Sequence, residues 1–534
     1  MSGIAWWQGG VFYEVYPRSF RDGNGDGIGD LAGIREKLDY FVWLGVDALW
    51  LTPVFPSPMV DFGYDIADYC DIDPLFGDLA AMDALIAEAH ARKLRIILDF
   101  VANHTSDQHP WFLSSRSSRH SEKRDWYLWR DPAADGGPPN NWTSVFGGSA
   151  WEWDEATGQY YYHAFATQQP DLNWRNPAVR EAMQRVLRFW LDRHVDGFRL
   201  DAVARLIKDD RFRDNPDPMD MPMVDGLRRP DLTRARYSRN LPQVHDVLAE
   251  FRAVIDAYGD RVLVGETYLP VTDLMAYYGR SRPEIQLPMN FHLMLRPWTA
   301  DSIARLVEEY EAALPPGAWP SWVLSNHDNS RLASRLGLDQ ARIAAMLLLT
   351  LRGTPFLYYG DEIAMEDGDI VATEVVDVWE LNTPGQGLGR DPARTPMQWE
   401  GDGRGGFTSG EPWLPVSPNT SEVNVAAEAT DSMSTLTLYR RLLALRRAEP
   451  ALTGGSWRSL GVQGGAFIYL RQAGKRRLLI ALNLSDEPHA LLLQRPLASG
   501  RILISTYLDR DREDVGEELD LRADEGVIVE LASS

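Results

Sequence analysis

Asp196-Gly197-Phe198-Arg199-Leu200-Asp201 reads as a short β-strand that ends on a carboxylate. Residues two apart on a strand share a face, so Arg199 and Asp201 project together from its end. Working outward from it, comparable apolar or β-branched runs recur at 11–16, 48–52, 95–101, 262–266, 284–289, 321–325 and 355–359. Helical patterns separate them at 31–44, 79–92, 178–193, 241–258, 301–313 and 340–351, and one more, 433–448, follows the last. Asp30 precedes Leu31 as a cap, and Asn176-Pro177 supplies a cap followed by a proline at the first helical position. Eight βα alternations in about 450 residues predict an α/β fold, a (β/α)8 barrel rather than an open sheet.

Two connections are too long to be simple loops. Residues 104–173 follow the third strand and hold a β-like run of their own at 159–165, which predicts an inserted subdomain. Residues 367–430 follow the eighth strand and are rich in Gly, Pro and Asp. Both lie on the C-terminal side of the strands, where barrel enzymes build their sites. After Gly455 the pattern changes to short strands with turns, at 466–471, 477–482 and 526–531. The expected division is a barrel over 1–103 and 174–455, an insertion over 104–173, and a C-terminal antiparallel β domain over 456–534.

Composition narrows the function. The 534 residues carry 54 Lys+Arg against 77 Asp+Glu, a net charge of −23, which argues against nucleic acid or an anionic membrane as the main partner. Apolar residues at 44% and charged residues at 25% provide for a large core. The single cysteine, Cys70, excludes an internal disulfide framework, fits a reducing compartment and reads as an inert thiol. Residues 1–10 carry no Lys or Arg, and the longest apolar run, 343–351, is half of the ~18 residues a membrane span needs. The expectation is a soluble cytoplasmic protein, a monomer or weak homo-oligomer, that acts on small molecules. Among 19 Trp and 20 Tyr, several such as Trp142, Trp151 and Trp153 lie in loops, where rings serve either sugar stacking or loop packing.

The strand ends gather carboxylates. Glu266 closes the fifth strand in Val264-Gly265-Glu266-Thr267, and Asp328 follows the seventh in Ser325-Asn326-His327-Asp328. Asp99, Asn103 and His104 close the third. Such convergence is not what a core needs, and it is what glycosidic cleavage requires. One carboxyl protonates the leaving oxygen while the other attacks or activates water, and a separation of about 5–5.5 Å implies a covalent intermediate and retention. Arg199 beside Asp201 predicts that Asp201 is the ionised member with a low pKa.

These segments resemble the four short motifs of the α-amylase family, glycoside hydrolase family 13: Asp99-Phe-Val-Ala-Asn103-His104, Gly197-Phe-Arg-Leu-Asp201, Gly265-Glu266-Thr267 and Ser325-Asn-His-Asp328. The resemblance implies that Asp201 is the nucleophile, Glu266 the general acid/base and Asp328 a transition-state stabiliser, with Arg199, His104 and His327 around the cleaved sugar. Within the family the chain is similar to the α-glucosidase and oligo-1,6-glucosidase branch. The stretches that carry this are Gly63-Tyr64-Asp65-Ile-Ala-Asp-Tyr69, Phe146-Gly-Gly-Ser-Ala-Trp151, Gln169-Pro-Asp-Leu-Asn173 and Arg390-Asp-Pro-Ala-Arg394-Thr-Pro-Met-Gln-Trp399. That likeness implies that Tyr64 stacks on the terminal glucose, that Asp65 and Arg394 bind its far side and block the pocket, and that Phe146 and Phe165 line it. A blocked pocket means exo action. Ala202 after the nucleophile resembles the α-1,4 or maltase type, and Ala204-Arg205 departs from the Lys-His of endo-acting amylases.

The expected activity is therefore a retaining α-glucosidase on α-1,4 disaccharides and short oligosaccharides, with transglucosylation as a side activity. The alternatives are an α-1,6-preferring oligo-1,6-glucosidase and a glucosyl transferase or isomerase of the trehalose synthase or sucrose transglucosidase kind. Acceptor choice between them is expected to depend on the loops near Phe165, 215–229 and 367–430.

One metal loop is legible. Asp22-Gly-Asn24-Gly-Asp26-Gly27-Ile28-Gly-Asp30 places oxygen donors at alternate positions with glycine at the sixth, as calcium loops do, although Gly33 stands where an EF-hand needs its bidentate Glu. The resemblance implies one structural Ca2+ or Mg2+ held by Asp22, Asn24, Asp26, the Ile28 carbonyl and Asp30, with no organic cofactor.

Overall fold

The computed structural model describes residues 3–216, 235–493, 497 and 499–532. Strands β1 (Phe12–Val15), β2 (Ala48–Leu51) and β3 (Arg95–Phe100) open the chain. The insertion then contributes β4 (Trp129–Arg130), β5 (Trp151–Asp154) and β6 (Gln159–Tyr162). After it come β7 (Gly197–Leu200), β8 (Val262–Thr267), β9 (Leu287–Asn290), β10 (Ser321–Val323) and β11 (Thr354–Tyr358). Eight of these form one parallel sheet in the order β10-β11-β1-β2-β3-β7-β8-β9. Its ends, β9 and β10, lie side by side and the Ser321 hydroxyl donates to the Pro288 carbonyl across the seam at 2.6 Å. This is the barrel the alternation predicts.

Every second residue of each barrel strand faces inward, and the inward set changes character along the axis. Near the strand starts it is apolar, with Phe12, Ala48, Ile97, Val262, Val264, Leu287, Val323 and Phe356 in one buried cluster. Two residues further on, the same faces carry Glu14, Trp50, Asp99, Arg199 and Glu266. Gly197 is required in this packing, since a Cβ there would lie 2.2 Å from the Val262 carbonyl oxygen. The outward residues, among them Tyr13, Leu49, Ile96 and Leu98, pack beneath the surrounding helices.

The expected caps are in place: Asp30 accepts from Gly33 N at 2.6 Å, and Asn176 accepts from Ala178 N at 2.9 Å to start the helix Pro177–Asp192. Two expected elements differ. The helix predicted over 31–44 divides into Leu31–Glu36 and Leu38–Leu44 because Lys37 leaves helical geometry. The sixth barrel strand begins at Leu287 rather than 284, because Ile285 N bonds back to the Tyr277 carbonyl and Glu284 pairs with His245 at 2.7 Å.

The insertion folds as a three-stranded antiparallel sheet, β4-β6-β5, around Trp142, Trp151 and Tyr162. Its two ends meet at the barrel mouth, where Leu172 N donates to the Asn103 carbonyl at 3.0 Å. Trp142 and Trp151 are buried there, so these rings serve packing and not sugar stacking, while Trp153 is 39% exposed. From Ser456 onward the chain forms a six-stranded antiparallel sheet, faced by the pair His489–Leu492 and Glu518–Leu521, around Ile468, Leu479, Leu491 and Val529. Cys70 is half-buried, and burial pushes its thiol up to about 11, as an inert thiol requires. Among the described residues no helix is long and apolar enough to cross a membrane.

Candidate active site

A cavity of about 170 Å³ opens at the C-terminal ends of the barrel strands, lined by Asp61, Tyr64, His104, Phe146, Phe165, Asp201, Glu266, His327 and Asp328 among others. A larger cavity of about 460 Å³ lies between the inserted sheet and residues 206–212, away from these carboxylates, so size alone does not locate the site. The smaller one holds the strand-end carboxylates.

At its floor a single buried guanidinium organises three carboxylates. Arg199 Nη1 donates to Asp99 at 3.0 Å and to Asp201 Oδ1 at 2.8 Å, and its Nη2 forms an ion pair with Glu266 Oε2 at 2.9 Å. The guanidinium also lies over the Trp50 ring, 5.0 Å from its centroid. Directly after Asp201 the backbone turns left-handed at Ala202 (φ 45°), a strained conformation for a residue with a Cβ. The turn aims Ala202 N–H at Glu266 Oε2, 2.8 Å away. Asp201 and Glu266 are thus clamped to two nitrogens of one guanidinium.

The electrostatics correct one expectation. Burial pushes the Asp201 carboxyl well above its ordinary range; Arg199 opposes this, while Glu266, Asp99 and Asp328 add to it. Arg199 does not keep Asp201 low because burial outweighs its pull, and the neighbouring carboxylates add to the burial effect. Burial likewise raises Asp99 to about 6 against the pull of Arg199. Asp328 behaves oppositely: burial works against its charge, yet His327, Arg390 and Arg394 hold it well below the carboxylate range. Arg394 Nη2 donates to Asp328 Oδ1 at 3.0 Å and Arg390 Nη1 at 3.3 Å. Burial keeps His327 neutral by pushing it down to about 3, so the two arginines supply the fixed positive charge beside Asp328.

The wall behind Asp328 is a hydrogen-bonded file. Glu14 on β1 meets His327 Nδ1 at 2.5 Å, His327 Nε2 meets the Tyr64 hydroxyl at 2.8 Å, and Tyr64 donates to Asp99 Oδ2 at 3.0 Å. The Tyr64 and His327 rings stack with centroids 5.4 Å apart. His104 Nε2 lies 3.0 Å from the Tyr64 carbonyl, and burial lowers its pKa. Around the mouth, Phe146 contacts Phe165 at 5.7 Å and Trp379 at 5.4 Å between centroids, which makes an aromatic lip.

The placement of Asp65 and Arg394 differs from the sequence expectation. Asp65 is fully buried and does not line the cavity. Its carboxylate accepts from Ser57 Oγ at 2.9 Å and from the N–H groups of Val60 and Asp61 at 3.0 Å, tying down the loop that carries Asp61. Asp61 is the carboxylate that faces the pocket, and it pairs with Arg390 Nη2 at 2.7 Å. Arg394 likewise lies behind the wall, donating to the His327 carbonyl and Asp328, while Arg390 lines the cavity. Of the two residues at the cavity wall, Arg390 lies in the quoted 390–399 stretch, whereas Asp61 lies two residues before the 63–69 stretch that carries Asp65. Glu14, Trp379 and Tyr268 were missed. Glu14 was legible only as an inward-facing acid two residues after Phe12 on a barrel strand. The other sequence-predicted lining residues, Tyr64, His104, Phe146, Phe165 and His327, are all brought together; of the 215–229 loop only 215–216 lie among the described residues.

The 22–30 loop follows β1, and none of its residues is among those lining the cavity. Its side chains form successive Asx turns: Asp22 accepts from the N–H groups of Asn24, Gly25 and Gly27, Asn24 from Asp26, and Asp26 from Ile28. Asp30 accepts from Gly23 and Gly33. Among the described residues no three His, Cys, Asp or Glu side chains cluster to hold a metal on their own. A cation here would need the mixed set of carboxylate, amide and carbonyl oxygens that the sequence offers, a hard-ion donor set.

A parallel eight-stranded barrel with carboxylates at the ends of β7, β8 and β10, clamped by arginines, is the frame of a glycoside-cleaving enzyme. Comparison with known proteins defines the family. Residues 14–455 match the alpha-amylase catalytic domain, and the chain belongs to the α-amylase family, glycoside hydrolase family 13. It is 42% identical over 495 residues to a probable alpha-glucosidase of Rhizobium meliloti (strain 1021), covering 90% of each chain. It is 39% identical to an oligo-1,6-glucosidase of Heyndrickxia coagulans, over 94% of this chain and 96% of that one. Among solved structures it is similar to the alpha-glucosyl transfer enzyme XgtA, with a TM-score of 0.92 and 38% identity over 99% of this chain and 100% of that one. Trehalulose synthase MutB from Pseudomonas mesoacidophila MX-45 gives the same TM-score and coverage at 36% identity. The protein is an enzyme of the glycoside-hydrolase class.

Proposed function

We propose that this chain is a retaining, exo-acting α-glucosidase that releases terminal glucose from α-1,4-linked disaccharides and short oligosaccharides. The observation that carries the reading is the double clamp of Asp201 and Glu266 on Arg199, at the floor of a pocket whose far end is closed by the Asp61–Arg390 pair. Closure at that end leaves room for a terminal sugar and none for a chain passing through.

In the proposed reaction Asp201 attacks the anomeric carbon while Glu266 gives a proton to the departing oxygen, forming a glucosyl ester and an alcohol. A water then loses its proton to Glu266 as it attacks the ester, releasing α-glucose and restoring Asp201. Asp328, held ionised by Arg390 and Arg394, would bind ring hydroxyls and stabilise the positive charge that develops. The left-handed turn at Ala202 positions the acid through a backbone N–H. Tyr64, stacked on His327, would face the sugar ring.

A second reading, glucosyl transfer to an acceptor other than water, is favoured by the aromatic lip of Phe146, Phe165 and Trp379 and by the likeness to a glucosyl transfer enzyme and a trehalulose synthase. An apolar lip lowers water access while the ester waits. The product profile on maltose, isomaltose, sucrose and trehalose, with and without glycerol, decides between the two. NMR of the first-formed sugar should show α-glucose, and β-glucose would overturn the retaining mechanism. We also propose that the 22–30 loop holds one structural divalent cation, Ca2+ or Mg2+, without a part in the chemistry.

A further inference from the structure

Three arginines around the proposed catalytic carboxylates have their charges matched by acidic side chains. Arg199 serves Asp99, Asp201 and Glu266; Arg390 serves Asp61, Asp377 and Asp328; Arg394 serves Asp328. Arg205 lies in the 3-10 turn Val203–Arg205 that follows the nucleophile, and it lines the same cavity. Among the described residues no carboxylate or carbonyl engages its side chain. Its guanidinium lies 5.5 Å from the centroid of Phe165, a ring of the aromatic lip, which places it at the mouth rather than at the closed end. The next cation along the chain, Lys208, is used by Asp171 and by Asn103 Oδ1 at 2.8 Å, so it cannot share an anion with Arg205. Ala202 and Ala204, which also line the cavity, are too short to fill the space in front of it.

A half-buried guanidinium stacked on an aromatic face keeps its N–H edge free for a planar, bidentate acceptor. Carboxylate and phosphate groups fit that edge, and a neutral hydroxyl uses little of its charge. We infer that Arg205 reads an anionic group on the part of the substrate beyond the glucosyl unit. The favoured substrates are then α-glucosides whose aglycone carries a carboxylate or a phosphate. This rests on the α-glucosidase reading above and leaves its bond-making steps unchanged. The departing alcohol simply bears the anion. In a chain of net charge −23, with Asp201 and Asp328 in the pocket, a cation at the mouth whose charge no acidic side chain takes up is what would let such a substrate approach.

The test compares kcat/KM within two matched pairs: maltobionate against maltitol, and α-glucosylglycerol against its phosphate monoester. p-Nitrophenyl α-glucoside serves as the reference substrate. The anionic member of at least one pair should be turned over about tenfold more efficiently, and the preference should shrink with added salt. Whichever pair shows it identifies carboxylate or phosphate as the group recognised. Arg205→Gln should bring the ratio to within about twofold of one, and Arg205→Lys should keep part of it. Ratios near one in both pairs, or a preference that survives Arg205→Gln, would overturn the inference while leaving the α-glucosidase reading intact. Failure to cleave the aryl glucoside at all would instead overturn that reading.

Discussion

Two acid-rich regions of this molecule handle their charge in opposite ways. At the barrel mouth Asp99, Asp201, Glu266 and Asp328 are compensated by the fixed guanidinium groups of Arg199, Arg390 and Arg394. In the 22–30 loop Asp22, Asp26 and Asp30 are held by backbone N–H groups and the Thr408 hydroxyl, and among the described residues no arginine or lysine pairs with them. The first arrangement ties the carboxylates to fixed positions through protein cations and holds Asp328 charged, without any ion from solution. The second fixes shape but leaves the negative charge available. One suits chemistry on a neutral sugar, and the other suits capture of a cation.

The contrast is broken most severely by removing the shared cation. Arg199→Met would strand Asp99, Asp201 and Glu266 in a buried site, and breaking buried pairs of this kind costs about 3–5 kcal/mol. Both the melting temperature and the rate on an aryl α-glucoside should collapse. Asp201→Asn and Glu266→Gln should lose at least about 10⁴-fold in kcat while the melting temperature holds or rises, because each removes a carboxyl from a crowded cluster. Calorimetry beside stopped assays separates the outcomes, and a fold as stable in Arg199→Met as in the native chain would show that the cluster is not organised by that residue.

A finer contrast lies within one loop. Asp61→Asn removes the pocket-facing partner of Arg390 and should lower kcat/KM for maltose by about 10²-fold, chiefly through weaker sugar binding. Asp65→Asn, four residues on, should change kcat/KM by no more than about threefold, because Asp65 binds only the loop itself. Its effect belongs to stability and pH. Burial raises the Asp65 carboxyl from 3.8 to about 6, against the N–H groups of Asp61 and Val60. The native state therefore binds more protons there than the unfolded chain, so this group's contribution is full below the unfolded value and is lost as pH rises through about 6. Melting temperatures from pH 4 to 7 should fall less steeply in Asp65→Asn than in the native chain, and parallel curves would count against the assignment.

The sequence made the barrel legible because its signal is repetitive. Alternating strands and helices recur eight times, and no single misjudged boundary, such as the start of β9, can hide that. The convergence of Asp201 and Glu266 was legible for a related reason, since each sits at the end of a barrel strand whose register places it. What escaped was set by loops. Whether Asp61 or Asp65 faces the sugar depends on which backbone N–H groups the 57–65 loop turns inward, and nothing in the spacing of two aspartates records that. The same holds for Arg390 and Arg394, both buried on one short turn, of which only Arg390 lines the cavity. The raised Asp201 was missed because pairwise reasoning weighed only the Arg199 charge, whereas burial, the larger effect, and the neighbouring carboxylates oppose it.

The smallest expected effect tests the other side of the comparison. If the 22–30 loop leaves its charge for a divalent ion, binding to the native chain alone stabilises it in proportion to the logarithm of ion concentration. Chelation should then lower the melting temperature by roughly 3 °C, and added Ca2+ or Mg2+ should restore it, with the better ion restoring more. Because the loop lies apart from the catalytic cavity, kcat at 25 °C should move by less than about twofold. Asp26→Asn discriminates further. Its amide oxygen can still accept from Ile28 N–H, so the Asx turn survives while the charge does not. A purely hydrogen-bonded loop would tolerate that change without loss of stability, whereas a cation site would lose its response to chelator.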